Sequence, residues 1–210
     1  MSNRTSGPLI AALIGILAAI PAASQTAKDR PQNHEPLRQL DTPSKQDFSL
    51  CVDPRIELLA VVQHFTPWAA GGHIKHGTMY KDDIDRYFHK FRDHPATVCL
   101  AHLLDAGFSH DAPVDFILHH GDPPQLVQCS PYSEYLIKRA HGKDKLIALS
   151  QALREFARES EFGRFSQAHR SLYDVLVQEV DSLLRGKNYI PTIEGFYGES
   201  RHSYNIILAP

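Results

Sequence analysis

Thirteen histidines stand in this chain of 210 residues, and ten of them fall between His64 and His141. Imidazole is a common metal ligand and the usual general base near neutral pH, so this density first suggests a metal or acid–base centre. The best local pair is His73 and His76, in the Gly-rich run WAAGGHIKHGT, where a pliant backbone lets both rings turn toward one ion. Zinc needs three or four ligands in tetrahedral geometry, and the spacing places no third one, so His73 and His76 are weak metal candidates only. The sequence holds no HExxH helix motif and no Cys/His pairs at finger spacing. It also lacks a GxSxG elbow, a P-loop and a GxGxxG turn, which leaves serine-hydrolase, NTPase and dinucleotide readings without a carrier.

Among the carboxylates, Glu57 stands out because it interrupts an apolar run (IELLAVV). A buried acid needs a partner, and Arg55 or His64, the latter two helical turns along the same face, could supply one. Asp82, Asp83 and Asp85 crowd a predicted first helical turn, where acids complement the helix dipole and a solvated helix start is the expectation. His94 precedes Pro95, which holds it out of helical geometry and leaves its side chain free to aim. His119 and His120 end a helix, where the dipole favours imidazolium. Cys51, Cys99 and Cys129 form no CxxC, and in an oxidising compartment any of three pairings could close a disulfide. Cys99 lies in an apolar stretch (TVCLAHLL) and reads as a buried thiol.

These residues need elements to hold them. Phe48 to Val52 is rich in strand formers, and Tyr204 to Leu208 reads as a second strand. Asp53-Pro54 is a helix start, with an acid at the cap and proline at the first helical position, for a helix running to about Phe65. Apolar spacing predicts further helices over Tyr80–Arg92, Ala96–Ala106, Asp111–His120, Ser130–Ala140, Lys143–Ser160 and Glu161–Arg185, with a helical turn at Pro191–Tyr197. The expected fold class is α+β, predominantly α-helical: a multi-helix domain over 47–210 with a minor sheet from strands near 48–52 and 203–208. A strand running almost to Pro210 leads us to expect the front part of something longer; the alternative is that the two strands pair under a covering helix.

Composition narrows the class. At 42% hydrophobic and 22% charged residues the chain is an ordinary globular protein, long enough to bury roughly 70% of its extended surface. A formal net charge of -2 supplies no basic stripe to displace counterions, so nucleic acid is not an expected partner. Residues 1–24 have the pattern of a secretory signal peptide: Arg4, an apolar run Leu9–Ile20, and small residues Ala22 and Ser24 before a junction at Ser24/Gln25. The run is too short to span a bilayer, so membrane contact is expected only in transit and the mature chain should be secreted or periplasmic. Residues 25–46, polar and carrying Pro31, Pro36 and Pro43, read as a flexible linker.

One ordered set of short motifs goes further. Val52 to Leu59 (VDPRIELL), Tyr80 to Phe88 (YKDDIDRYF), Asp93-His94-Pro95-Ala96 and Asp111-Ala112-Pro113-Val114 occur in the order found in a bacterial family of secreted or lipid-anchored proteins of unknown function, which the chain resembles from about Phe48 to Pro210. Members of that family carry an HExxH-type helix further downstream and are similar to zincin metallopeptidases. The resemblance implies that this sequence is the helical front and cleft wall of such a protein, without the two histidines and glutamate that bind zinc and activate water. Arg55, Glu57, His94 and Asp111 match the front-half motifs and are the implied cleft residues; no catalytic residue carries over. Zinc and a peptide or protein substrate are implied for a full-length form, and the chain as given is expected to be inactive. A secreted helical binding module, complete at Pro210 and without chemistry, is the alternative.

Overall fold

Local sequence sets the first elements of the computed structural model, which describes residues 48–69, 78–201 and 203–210. The signal-peptide and linker expectations, and the loop holding His73 and His76, lie outside those residues. Strand β1 (Phe48–Cys51) alternates half-buried and exposed residues, as a strand with one covered face should. Helix α1 (Pro54–His64) starts where the cap predicts, with the Asp53 side chain accepting from the Arg55 amide at 2.8 Å and proline in the first turn. It buries Ile56, Glu57, Leu58, Leu59, Val61 and Val62, so it is covered on most sides and runs through the centre of the domain.

Helix α2 (Met79–Phe88) is capped by Thr78 and passes into a 3-10 turn at His89–Phe91, so the predicted helix to Arg92 tightens in its last turn. His94 then caps α3 (Pro95–Asp105): its Nδ1 accepts from the Ala96 amide at 3.1 Å. Helix α4 (Ala112–Leu118) packs on α1. Helix α5 is shorter than predicted, Glu134–Arg139, because Ser133 is the residue that caps it while Tyr132 turns into the core to reach His120. Helix α6 (Lys143–Glu159), close to its predicted range, buries Leu146, Leu149, Leu153 and Phe156 and packs against α3.

The long helix predicted over 161–185 is two helices, α7 (Phe162–Ala168) and α8 (Arg170–Leu184), broken at His169. The break lets Phe162 and Phe165 enter the core while α8 leaves along the sheet. Helix α9 (Tyr189–Tyr197) ends at Gly198, whose φ of 69° is the left-handed cap geometry that glycine adopts without strain. Strand β2 (Tyr204–Ile207) returns to pair with β1 in parallel, Phe48 opposite Tyr204 and Cys51 opposite Ile207. The two strands do pair, and α8 lies against β1.

Aromatic rings fill the middle. Phe88 stacks on Phe156 with centroids 5.7 Å apart and meets Phe165 edge-on at 4.7 Å, joining α2, α6 and α7. Predominantly helical α+β is thus the observed class. Among the described residues no helix is long and apolar enough to cross a membrane.

Candidate functional site

Helix α1 sorts its polar side chains by angle. Residues two apart on an α-helix point about 200° away from each other, so Arg55 and Glu57 leave on opposite sides. Arg55 grips Asp53 side-on, Nε to Oδ1 at 2.9 Å and Nη2 to Oδ2 at 2.5 Å, and sends Nη1 to the His120 carbonyl at 2.9 Å. It therefore ties the start of α1 to the end of α4. Burial pushes the Asp53 carboxyl up, but the hydrogen bonds from Arg55 outweigh it and hold the acid below its usual range.

Glu57 goes the other way and is 2% exposed. Its partner is neither Arg55 nor His64, the two that sequence reasoning offered. The Tyr80 hydroxyl of α2 donates to Glu57 Oε1, and the Tyr80 and Tyr173 hydroxyls meet at 2.7 Å. Burial raises the Glu57 carboxyl to about 7, against the Tyr80 hydrogen bond and the nearby His169, which both pull it down. The same burial and the Glu57 charge raise both tyrosines. His169 sits edge-on to Tyr80 with centroids 5.1 Å apart. Its Nδ1 lies 2.9 Å from the Phe165 carbonyl and its Nε2 3.2 Å from Asp83 Oδ2, so both ring nitrogens face acceptors.

Two of the three α2 acids predicted to be merely solvated are engaged by histidines. Asp83 holds His169, and Asp85 takes His64 Nε2 at 3.1 Å and Arg92 at 3.2 Å. The His169 hydrogen bond is the leading cause of a lowered Asp83 carboxyl.

Tyr173 is 7% exposed and is the only α8 residue buried in the domain. It also forms part of the wall of a cleft of about 320 Å³ between β1 and the α7–α8 corner. Leu50, Val52, Pro54 and Val177 give the cleft its apolar surface. Ser166, Arg170 and Asp174 give it polar groups, and Cys51 also lines it. Ser166 also hydrogen-bonds the Tyr173 side chain, favouring its phenolate. A line of hydroxyls thus runs from a buried carboxyl through Tyr80 and Tyr173 to Ser166, and the last two residues belong to the cleft lining.

The remaining candidates are elsewhere. His94 is fixed by its cap bond on one nitrogen, while Nε2 faces Glu159 at 3.5 Å, and its ring packs on Phe156. Asp111 makes no cap bond and accepts from the Tyr135 hydroxyl at 2.9 and 3.1 Å. Arg55, Glu57, His94 and Asp111 therefore engage separate partners rather than one another. All three cysteines are free thiols, Cys51 and Cys129 exposed and Cys99 half-buried. Among the described residues no group of three or more His, Cys, Asp or Glu side chains is placed to hold a metal ion, so these residues do not fit a zinc centre.

Sequence reasoning missed Tyr80, Tyr173 and His169, and read Asp83 only as part of a solvated helix start. Tyr80 served only as the first residue of a helix predicted from apolar spacing, and His169 and Tyr173 fell inside a helix read as continuous. The spacing of His169 and Tyr173, one turn apart beside a phenylalanine, was the available signal.

No curated protein and no solved structure matches the chain. A family model described as Domain of unknown function (DUF4932) matches residues 48–210, which covers every described element from β1 to β2, and the chain belongs to that family.

Proposed function

We propose that this domain binds an extended peptide segment, from a peptide or protein partner, in the cleft between β1 and α8. The carrying observation is the cleft itself, which runs beside the last residues of a strand and mixes apolar lining with an Arg170–Asp174 pair, Ser166 and Tyr173. Within the described residues each strand of the two-stranded sheet has one edge that no third strand covers. An uncovered edge offers backbone groups to an added strand, and side-chain pockets beside it supply selectivity. The N-terminal pattern supports export, which would place the cleft outside the cytoplasm. Under the metallopeptidase-like reading, zinc and hydrolysis belong to an HExxH helix outside these residues, and this cleft holds the segment to be cut.

The test is selection from a displayed random peptide library against the purified domain, followed by affinity measurement on wild type and Val177→Glu. The expected result is enriched peptides whose affinity falls roughly tenfold or more when a carboxylate is placed in the apolar lining. Peptides that bind both proteins equally would overturn the cleft reading. Turnover of the enriched peptides by a zinc-containing longer product would separate the peptidase role from simple binding.

A further inference from the structure

The line Glu57, Tyr80, Tyr173 has two self-consistent directions. With Glu57 ionised, its oxygen accepts from Tyr80 and the Tyr80 oxygen accepts from Tyr173, so every proton points inward. Tyr173 then presents only lone pairs to Ser166, its neighbour in the cleft lining. With Glu57 protonated, the carboxyl donates to Tyr80, Tyr80 donates to Tyr173, and the Tyr173 proton turns outward. One proton at the buried end reverses the donor at the surface end.

We propose that Glu57, Tyr80 and Tyr173 form a proton-set relay that makes Tyr173 a hydrogen-bond donor to the cleft when Glu57 is protonated, and that the cleft then takes the carboxylate of a peptide ligand. The ligand half of this proposal rests on the peptide-binding reading above; the relay half stands on the buried geometry. The groups facing Glu57 are Tyr80 from α2, Tyr173 from α8, and His169 at the α7–α8 break with its Asp83 partner. On α1 itself Arg55 faces away, and His64 lies two turns further on against Asp85.

Burial places the Glu57 transition at about 7, so both directions are populated near neutral pH. The carboxylate preference comes from Arg170, whose guanidinium is held only loosely by Asp174, Nε to Oδ1 at 3.8 Å. An ionised Glu57 behind Tyr173 would add repulsion to the loss of the donor, so both effects weaken carboxylate binding as pH rises.

Two measurements separate the halves. In the ligand-free protein, the 13C shift of the Tyr173 ring carbon bearing the hydroxyl should follow the Glu57 carboxyl titration in wild type and lose that inflection in Tyr80→Phe. A Tyr173 shift that ignores Glu57, or that still follows it without the Tyr80 hydroxyl, overturns the relay. The second measurement is binding of N-acetyl tetra-alanine with a free carboxylate, and of its amide, by amide chemical-shift titration. Wild type should bind the carboxylate form on the order of fivefold more tightly at about pH 5.5 than at about pH 8.5, the worth of one hydrogen bond. Glu57→Gln should flatten that dependence while His169 stays in place, and Tyr173→Phe should hold affinity at the high-pH level. Equal binding of carboxylate and amide overturns the ligand assignment alone. Absence of shifts in cleft residues with either peptide overturns the cleft reading while leaving the ring-carbon test to decide the relay.

Discussion

Helix α1 stands between two buried clusters closed by a tyrosine hydroxyl, and they make opposite use of it. On the Arg55 side, Tyr132 meets His120 Nε2 at 3.0 Å, and His120 Nδ1 donates to the Phe116 carbonyl at 3.0 Å. His120 is 1% exposed, burial lowers it, and its neutral ring has every polar atom satisfied. On the Glu57 side the tyrosine closes on an acid, and burial raises that acid to about 7. Desolvation disfavours charge in both places, so a base is pushed down and an acid up. The first cluster ends in the core; the second continues through Tyr173 to a cleft. Similar chemistry therefore braces the fold on one side and leaves a titratable group connected to the surface on the other.

The largest expected effect that sharpens this comparison is in the pH dependence of stability. Glu57 binds its proton more tightly folded than unfolded, so its contribution is complete below the ordinary carboxylate range and is lost as pH rises through about 7. The loss should reach about 3 kcal/mol by mildly alkaline pH, and Glu57→Gln should abolish it in denaturation curves taken across that window. An unchanged slope in the variant would mean that the acid is not the source. His120 has the opposite sign: its lowered transition makes stability fall as pH drops below the ordinary histidine range, so its limb overlaps the Glu57 limb and offsets part of it until Glu57→Gln uncovers it.

Tyr132→Phe should cost about 2 kcal/mol at neutral pH, because it leaves the buried His120 Nε2 without its donor. Urea denaturation checks this, and a neutral outcome would remove the bracing role given to that side. The smallest effect is at the helix start between the clusters. Asp53→Ala removes the cap of α1 and the side-on partner of Arg55, and should lower stability by about 1 kcal/mol in the same assay. Its pH profile should keep both limbs, since neither tyrosine bond is touched.

Features of short range were legible in the sequence. Asp53-Pro54 marks a helix start and His94-Pro95 a helix break because cap and proline act within one turn. Glu57 was legible as an anomaly, a charge in an apolar run, and the ordered motifs led to a family of unknown function, in agreement with the family match. The partners of Glu57 were not legible. Tyr80 lies 23 positions from Glu57 and Tyr173 93 positions from Tyr80. Tyrosine also has an apolar body and a polar tip, so periodicity counts it as core and says nothing of where the hydroxyl goes. The break at His169 was hidden for a related reason: apolar spacing continues across it, while a ring bonded to a carbonyl one turn back and to an acid on another helix decides the geometry.

Helix α8 buries one side chain, Tyr173, while Leu172, Val175 and Leu183 along it are exposed. Opening free energy follows buried contacts, so α8 should be among the first segments to exchange its amide hydrogens and α1 among the last. Releasing α8 also withdraws Tyr173 from the Tyr80 hydroxyl that bonds Glu57. Water should therefore reach the Tyr80–Glu57 pair more often when α8 opens, and anything that clamps α8 onto β1 should slow the acid's exchange of its proton with solvent.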